Sequence, residues 1–266
     1  VTVDISAADS DNNGSNIIDI SEFTGTGATT LTGADGTGSQ AITGAGGIDT
    51  ITGGAGIDTI TGGAGADVIT AGDGADIITG GAGADTIDFS TGSDVDTYIM
   101  TGGAATTTSI TNFVVGDVDN LDIDLSDLNA IVTDMQLAGD GAAALAADGT
   151  PTLTNVNTGA YDMAESATSD ILYFEGVIAD TDALETLIET GGGSAVTYNG
   201  AFHAGDGFLA LWDDGSHSYL STVVNTTAIA NDGLAVSGDL TATNLITFSG
   251  VTDGDTLVTG NFDIIA

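Results

Sequence analysis

Regularly spaced aspartates are the residues of this chain best suited to chemistry. Six of them recur every nine residues, at Asp49, Asp58, Asp67, Asp76, Asp85 and Asp94. A Gly stands two residues before each one, and the chain contains no Lys or Arg that could neutralise them. Carboxylate oxygens and the backbone carbonyls of Gly-rich turns are ligands that suit a hard cation such as Ca²⁺. The spacing therefore indicates a row of cation sites.

The residues between the aspartates predict how these side chains are positioned. Each nine-residue unit has six small or polar residues and then three strand-forming residues, with an Ile every nine residues from Ile42 to Ile87. This pattern predicts a tight turn, in which Gly reaches positive φ, followed by a very short strand. Stacked units would bury a continuous row of Ile that one unit could not bury alone. The alternative is a disordered Gly/Asp-rich linker, but disorder gives no reason for an Ile at every ninth residue.

The unit GGAGADVIT, residues 62–70, resembles the GGxGxDxUx nonapeptide of the RTX family, in which U is apolar. The resemblance implies a parallel β-roll that binds several calcium ions between stacked turns, with backbone carbonyls as the remaining ligands. Successive units would form opposite halves of a turn. One edge would carry Asp49, Asp67 and Asp85, and the other Asp58, Asp76 and Asp94. Gln40 stands where the preceding unit would have Asp, and Asp96 where the last unit would have Ile, which marks the two ends of the roll.

A second candidate calcium site lies near the N-terminus. The spacing of its first acidic residues, with Gly14 at the sharp turn, matches the opening of an EF-hand-like loop. The spacing then fails, because position twelve is Ile20 and the next acid comes two residues later. A variant loop would use the candidate ligands Asp9, Asp11, Asn13, Asp19 and Glu22. An Asx-rich turn without an ion is the alternative.

The net charge of the chain also favours the binding of cations. Among 266 residues there are 39 Asp and Glu, no Lys or Arg and two His, so the formal net charge is −39. Without cationic side chains, compaction concentrates negative charge that only bound cations or screening can offset. Such a chain would be repelled by nucleic acids and anionic membrane surfaces. It has no cysteine, hence no thiolate site, and no apolar run of the ~18–20 residues that a membrane-spanning helix needs.

The sequence after the repeats predicts mostly strands. Alternating apolar residues mark strands at 95–100, 109–115 and 120–125, and the segment 110–128 resembles the cap that follows the roll in many RTX proteins. One helix is predicted from Ser126 through Met135, and another at 182–190 with Asp182 and Glu185 at capping-box spacing. Residues 213–216 (DDGS) predict a hairpin turn. The expected fold is dominated by β-structure: a calcium-bound parallel β-roll followed by a β-rich C-terminal domain with about two short helices.

Three regions follow from these patterns. Residues 1–34 would hold the N-terminal strand and the EF-hand-like loop and would continue a longer chain; residues 35–98 would form the β-roll. Residues 99–266 would form a β-rich cap and assembly domain. The last residues resemble a type I secretion signal, and the C-terminal region resembles those of RTX-type surface-layer proteins and adhesins.

The functional expectation is structural and not catalytic. His203 and His217 are the only candidate bases besides carboxylates, and no HExxH or GxSxG motif surrounds them. The resemblance implies a secreted, calcium-dependent protein of the bacterial cell surface, the C-terminal segment of a self-associating surface-layer or filament protein. The alternatives are the calcium-stiffened terminus of an RTX adhesin and the carrier domain of a secreted hydrolase.

Overall fold

The computed structural model describes most of the first half of the chain and the strands of the second half. The described residues are 2–4, 15–34, 36–91, 94–101, 107–115, 119–124, 134–135, 153–156, 161–162, 171–189, 196–197, 204–226, 238–252, 254–257 and 261–265. The chain divides into two compact units. The first comprises residues 1–124 and 260–262, and the second 125–259 and 263–266.

The first unit is a roll of two parallel sheets. Odd-numbered strands form one sheet in the order β1 (Thr2–Asp4), β3 (Thr29–Thr32), β5 (Asp49–Ala55), β7 (Val68–Asp73), β9 (Thr86–Asp88) and β11 (Thr108–Thr111). Even-numbered strands form the other in the order β2 (Asn16–Asp19), β4 (Gln40–Thr43), β6 (Thr59–Ala64), β8 (Ile77–Ala82), β10 (Thr97–Met100) and β12 (Asn120–Asp124). Each full turn of the chain thus adds one strand to each sheet, which confirms the predicted parallel β-roll.

The register of both sheets is set by one buried apolar residue per strand. In the first sheet Ile51 pairs with Ile69 and Ile69 with Ile87; in the second, Ile60 pairs with Ile78. These rows continue at their ends through Leu31, Ile110, Ile42, Tyr98 and Leu121. All are at most 1% exposed. Burial of a side chain of this size contributes about 1.5–3 kcal/mol, so these rows form the apolar core of the roll.

The second unit is built on a mixed sheet. Its strands follow the order β14 (Leu153–Val156), β16 (Ile171–Val177), β18 (Asp206–Asp213), β19 (His217–Asn225) and β20 (Leu240–Ser249), and the short β13 (Asp134–Met135) also pairs with β18. The β18–β19 and β19–β20 pairs are antiparallel and the others parallel. β15 (Tyr161–Asp162) pairs with β17 (Val196–Thr197). The chain ends with a 3₁₀ helix (Gly254–Thr256) and β21 (Phe262–Ile265).

A helix, α1 (Thr181–Ile188), packs onto this sheet through Leu184 and Ile188. It confirms the helix predicted at 182–190, but the predicted capping box is wrong. The N-cap is Asp180, whose Oδ1 accepts a hydrogen bond from the Ala183 N–H at 2.8 Å. Only a residue with extended backbone can cap in this way, and Asp182 already lies inside the first turn.

The other predicted helix, from Ser126 to Met135, cannot be followed along its length, because residues 126–133 lie outside the described part of the chain. Where that helix would end, Asp134 and Met135 form a strand. The predicted hairpin turn, in contrast, is confirmed. Oδ1 of Asp214 accepts hydrogen bonds from the N–H groups of Ser216 and His217, and Gly215 has a φ of +84°.

Candidate metal sites in the β-roll

The turns of the roll bring backbone atoms and carboxylates unusually close together. The second and fourth residues of the nonapeptide turns have positive φ, between +98° and +137°, at Gly54, Gly56, Gly63, Gly65, Gly72, Gly74, Gly81 and Gly83. The first residue of a turn faces the carboxylate of its own unit: a Cβ on Gly62 would lie 2.5 Å from Oδ2 of Asp67. At Gly62 the carboxylate and the stacked backbone therefore occupy the space of a side chain, although the corresponding residue of the turn that carries Asp76 is Ala71.

Inside these turns the repeat aspartates form two ladders. Oδ1 of each accepts the N–H of the residue eighteen positions earlier: Gln40 to Asp58 at 2.7 Å, Asp49 to Asp67 at 2.8 Å, Asp58 to Asp76 at 2.7 Å and Asp67 to Asp85 at 3.0 Å. Asp49 accepts from Thr29 in the same way, at 3.1 Å. Each of these carboxylates is at most 1% exposed. One edge therefore carries Asp49, Asp67 and Asp85, and the other carries Asp58 and Asp76.

The next member of the second ladder is Asp96 and not Asp94. The Asp76 N–H donates to Oδ1 of Asp96 at 2.9 Å, whereas Asp94 is exposed. The prediction that Asp96 occupies the position of an Ile is wrong, because the turn is two residues longer than the repeat and Tyr98 pairs with Ile78. Whether Asp94 binds an ion stays a prediction.

Sequence analysis missed the last member, Asp119. Its Oδ1 accepts the Asp96 N–H at 3.1 Å and its Oδ2 accepts the Val114 N–H at 2.6 Å. It lies outside the nine-residue spacing, but one signal could have found it. Every ladder Asp precedes the buried apolar residue of its strand by two positions, and Asp119 stands two before Leu121.

The ladder leaves one oxygen of most aspartates without a partner. Oδ2 of Asp58, Asp67, Asp76 and Asp85 is buried and accepts no hydrogen bond. Burial, together with a smaller effect of neighbouring carboxylates, raises the pKa of Asp58 to about 7 and the pKa values of Asp67 and Asp76 to about 6. A buried, ionised carboxylate without a compensating charge is strongly unfavourable. In a chain without Lys or Arg, only a proton or a bound cation can supply that charge.

The donor set fits calcium. The orphaned Oδ2 atoms of Asp58 and Asp67 face the first Gly of their turns, where the backbone carbonyls of Ala71 and Gly80 also lie close. Oxygen-only ligands with flexible geometry are what Ca²⁺ takes. Among the described residues, no three His, Cys, Asp or Glu side chains converge on a common point. An ion in the roll would therefore take much of its coordination from backbone carbonyls, which argues against zinc, since zinc uses three or four side-chain ligands.

The N-terminal candidate site is described only in part. Asp9, Asp11 and Asn13 lie outside the described residues. Asp19 ends β2, which pairs with β4, and its exposed carboxylate accepts the Ser21 N–H at 2.9 Å. The hydrogen bonds from Ser21 lower the pKa of Asp19. Glu22 is exposed in the following turn. Calcium binding by this loop stays a prediction.

The fold and the ladders define a class: a parallel β-roll whose stacked, buried carboxylates bind calcium. The family model of the RTX calcium-binding nonapeptide repeat (4 copies) matches residues 43–78 and 62–96. Residues 43–96 are therefore a region of RTX calcium-binding repeats, which confirms the predicted resemblance of the nonapeptides to that family. No curated protein and no solved structure gives a significant match to the chain.

Proposed function

We propose that the chain is a calcium-dependent structural segment of a bacterial cell-surface protein, which folds on extracellular calcium and associates with copies of itself into a surface layer or filament. The observation that carries the calcium dependence is the pair of carboxylate ladders. Four of their members hold a buried oxygen that no protein group satisfies. The folded roll is therefore penalised at neutral pH until a cation binds there.

Because calcium binding offsets this penalty, the stability of the folded roll should depend on the calcium concentration. Extracellular calcium modules bind with Kd values of roughly 10⁻⁴–10⁻³ M. A site with calcium at ten times its Kd stabilises the folded state by about 1.4 kcal/mol, from RT ln(1 + [L]/Kd). Several such sites together supply about 5 kcal/mol or more, which is comparable with the whole stability of a small domain. At low calcium the folded chain would lose this stabilisation by bound calcium, while the repulsion among its 39 acidic residues would remain.

Apolar side chains on the outside of the roll support the assembly part of the proposal. Ile48 and Ile57 are 56% and 58% exposed, and Val68, Ile77 and Val95 are exposed as well. Burial of such groups would favour contact between copies, while a charge of −39 on each copy would oppose it. Contacts between copies should therefore themselves depend on calcium.

Repeats of this family occur in secreted proteins, which supports an extracellular location for this chain. Location in a surface layer is part of the proposal, as is a structural, non-catalytic role. The division into functional regions at residues 34 and 98 stays a prediction, while the parallel strands of the roll run from β1 to β12.

Among the described residues, no helix has the length and apolar character of a membrane-spanning segment.

A calcium titration of chelator-treated protein tests the proposal, with far-UV circular dichroism and light scattering followed together. If β-signal and scattering rise together, folding and assembly share one calcium switch, as proposed. If the β-signal rises without scattering, calcium folds a monomer, which is the behaviour expected of an adhesin terminus or a carrier domain. If neither changes, the calcium-dependent fold itself is wrong.

A further inference from the structure

Two early turns of the roll, residues 33–40 and 44–49, differ from the four later turns at their second position. That position holds Ala34 and Ala45 in the early turns. In the later turns it holds Gly with a φ between +98° and +116°, at Gly54, Gly63, Gly72 and Gly81. Neither Ala has a positive φ, because a Cβ disfavours left-handed backbone. The early turns therefore follow a different backbone path from the later ones.

In the second early turn, protein donors take up both oxygens of the Asp49 carboxylate. Its Oδ2 accepts the Ala45 N–H at 2.8 Å. Its Oδ1 accepts the N–H of Thr29 at 3.1 Å and the hydroxyl of the same residue at 2.7 Å. Asp49 is fully buried, and three hydrogen bonds to an ionised carboxylate stabilise its charged form. Asp49 is thus compensated by the protein itself.

The later turns leave the corresponding oxygen without a donor. Oδ2 of Asp67, on the same edge as Asp49, is buried and accepts no hydrogen bond. The second residue of that turn is Gly63, with a φ of +114°, and its N–H does not take the place that the Ala45 N–H has in the early turn. The same holds for the carboxylates that end the other later turns, those of Asp58, Asp76 and Asp85.

The first early turn has an uncharged residue in the ladder. Gln40 is 2% exposed, and its N–H donates to Oδ1 of Asp58 at 2.7 Å. Its side chain faces the first residue of its own turn, since a Cβ built on Gly33 would lie 3.2 Å from its Cγ. Its Nε2 donates to the Gly38 carbonyl at 2.6 Å. Oε1 of Gln40 has no partner, but an amide oxygen carries no net charge and needs no counter-ion.

The strands next to the early turns bury apolar side chains in register. Leu31 pairs with Ile51 and Ile18 pairs with Ile42, and all four are at most 5% exposed. Among the described residues from 15 to 52, no buried carboxylate oxygen lacks a hydrogen-bond partner. This part of the roll therefore has an apolar core without the electrostatic penalty of the later turns.

We propose that the early turns are a metal-independent start of the roll, and that the requirement for calcium begins with the turn that ends at Asp58. The hydrogen bonds from Ala45 and Thr29 do for Asp49 what a cation does for the later carboxylates. Calcium-dependent turns would then add to an edge that is already ordered, as stacked repeats propagate from a formed neighbour. Asp49 would not be a calcium ligand, contrary to the expectation from its spacing. The inference rests on the calcium-dependent folding proposed above.

Two charge-matched variants of the full chain, Asp49→Asn and Asp67→Asn, test where calcium binding begins. Both remove one buried carboxylate from the same edge of the roll. Calcium uptake is measured by native mass spectrometry and isothermal titration calorimetry. We expect Asp67→Asn to bind one ion fewer, or to bind it at least tenfold more weakly. Asp49→Asn should keep the stoichiometry and affinities of the unmodified chain, and loss of an ion in this variant would overturn the inference.

Amide hydrogen exchange of the unmodified chain gives a second test that depends on no substitution. Mass spectrometry of peptic fragments follows exchange at neutral pH, in chelator and in saturating calcium. In chelator, fragments within 36–52 should exchange at least tenfold more slowly than fragments within 59–88, and calcium should slow the second group.

Equal exchange of both groups in chelator would overturn the metal-independent start, and slower exchange of the second group in calcium would still support the proposed function. If calcium slows exchange in neither group, the proposed calcium dependence fails, and the metal-independent start fails with it.

Discussion

The backbone N–H of Asp58 donates a hydrogen bond of 2.7 Å to Oδ1 of Asp76, eighteen residues later, while Oδ2 of Asp76 is buried without any partner. One carboxylate thus has two tasks. It satisfies a backbone donor of the neighbouring turn, which the roll needs with or without metal. It also presents an oxygen that only a cation or a proton satisfies. Substitutions can separate these two tasks.

The first prediction is that Asp67→Asn changes the stability of the roll in opposite directions with and without calcium. The Asn carbonyl oxygen can keep the hydrogen bond from Asp49, whereas the buried charge is lost. The calcium-free protein should become more stable and the calcium-loaded protein less stable. Urea unfolding with chelator and with saturating calcium measures both effects. Asp67→Ala is the matched control: it leaves the Asp49 N–H unpaired, at a cost of about 1–3 kcal/mol, and should destabilise both states. Destabilisation of both states by Asp67→Asn would contradict the prediction.

The second prediction concerns pH. The folded-state pKa is raised to about 7 for Asp58 and Asp96 and to about 6 for Asp67 and Asp76, mainly by burial. The carboxyl of Asp in an unfolded chain has a pKa of about 3.9. At pH values between this value and the raised folded-state pKa, the folded chain therefore binds more protons than the unfolded chain. The contribution of these carboxyls to the stability of the calcium-free roll is therefore fully present below the unfolded pKa and is lost as pH rises through the folded values near 6 and 7. Circular dichroism of chelated protein from pH 4.5 to 8 should show structure lost across this range.

Calcium should reverse that dependence, because protons and calcium compete for the same oxygens. Calcium affinity should rise between pH 5 and 7.5, a range that spans the raised pKa values near 6 and 7. Titrations at several pH values measure it. A calcium-free protein whose structure does not depend on pH would argue against the buried, uncompensated carboxylates.

The third prediction is that Gly63→Ala disrupts the roll. Gly63 has a φ of +114°, and a Cβ there would collide with the carbonyl oxygen of Ala45 in the stacked turn. The left-handed backbone alone costs a residue other than Gly about 1–2 kcal/mol. Thermal unfolding in calcium should show at least that loss. Ala64→Ser, at the exposed next position, is the control and should be close to neutral. Equal melting temperatures for both variants would show that the turn is not as tightly stacked as described.

The fourth prediction distinguishes the two candidate caps of α1. Asp180→Ala removes the acceptor of the Ala183 N–H and should destabilise the second unit by about 1 kcal/mol. Asp182→Ala removes only a favourable charge in the first turn, worth roughly 0.3–1 kcal/mol at low ionic strength. Denaturation in 0.5 M salt, which screens that charge, should leave the Asp180 effect as the larger one. The reverse order would restore the cap predicted from the sequence.

In the second unit, local sequence patterns predicted some features of the fold and not others. Alternation and turn residues predicted the β18–β19 hairpin, because Asp214 and Gly215 form the turn from neighbouring residues alone. They could not predict that β16 pairs in parallel with β18, since that pairing joins residues far apart in the sequence. The cap of α1 was missed for a related reason: Asp180 and Asp182 are chemically identical, and only the backbone geometry decides between them.

In the roll, the nine-residue repeat, its inward Ile residues and five ladder aspartates follow from the spacing in the sequence, because identical units stacked in parallel place identical residues above one another. The stacking of units eighteen residues apart was implied by the resemblance to the RTX repeat, and the pairing of Ile51 with Ile69 and of Ile60 with Ile78 confirms it. Only the tertiary structure decided that Asp96, and not Asp94, continues the ladder and that Asp119 follows it. There the turns are longer than nine residues, so counting no longer fixes the register. The pairing of Tyr98 with Ile78 and of Leu121 with Tyr98 fixes it instead, because each strand must place its large apolar side chain in the core.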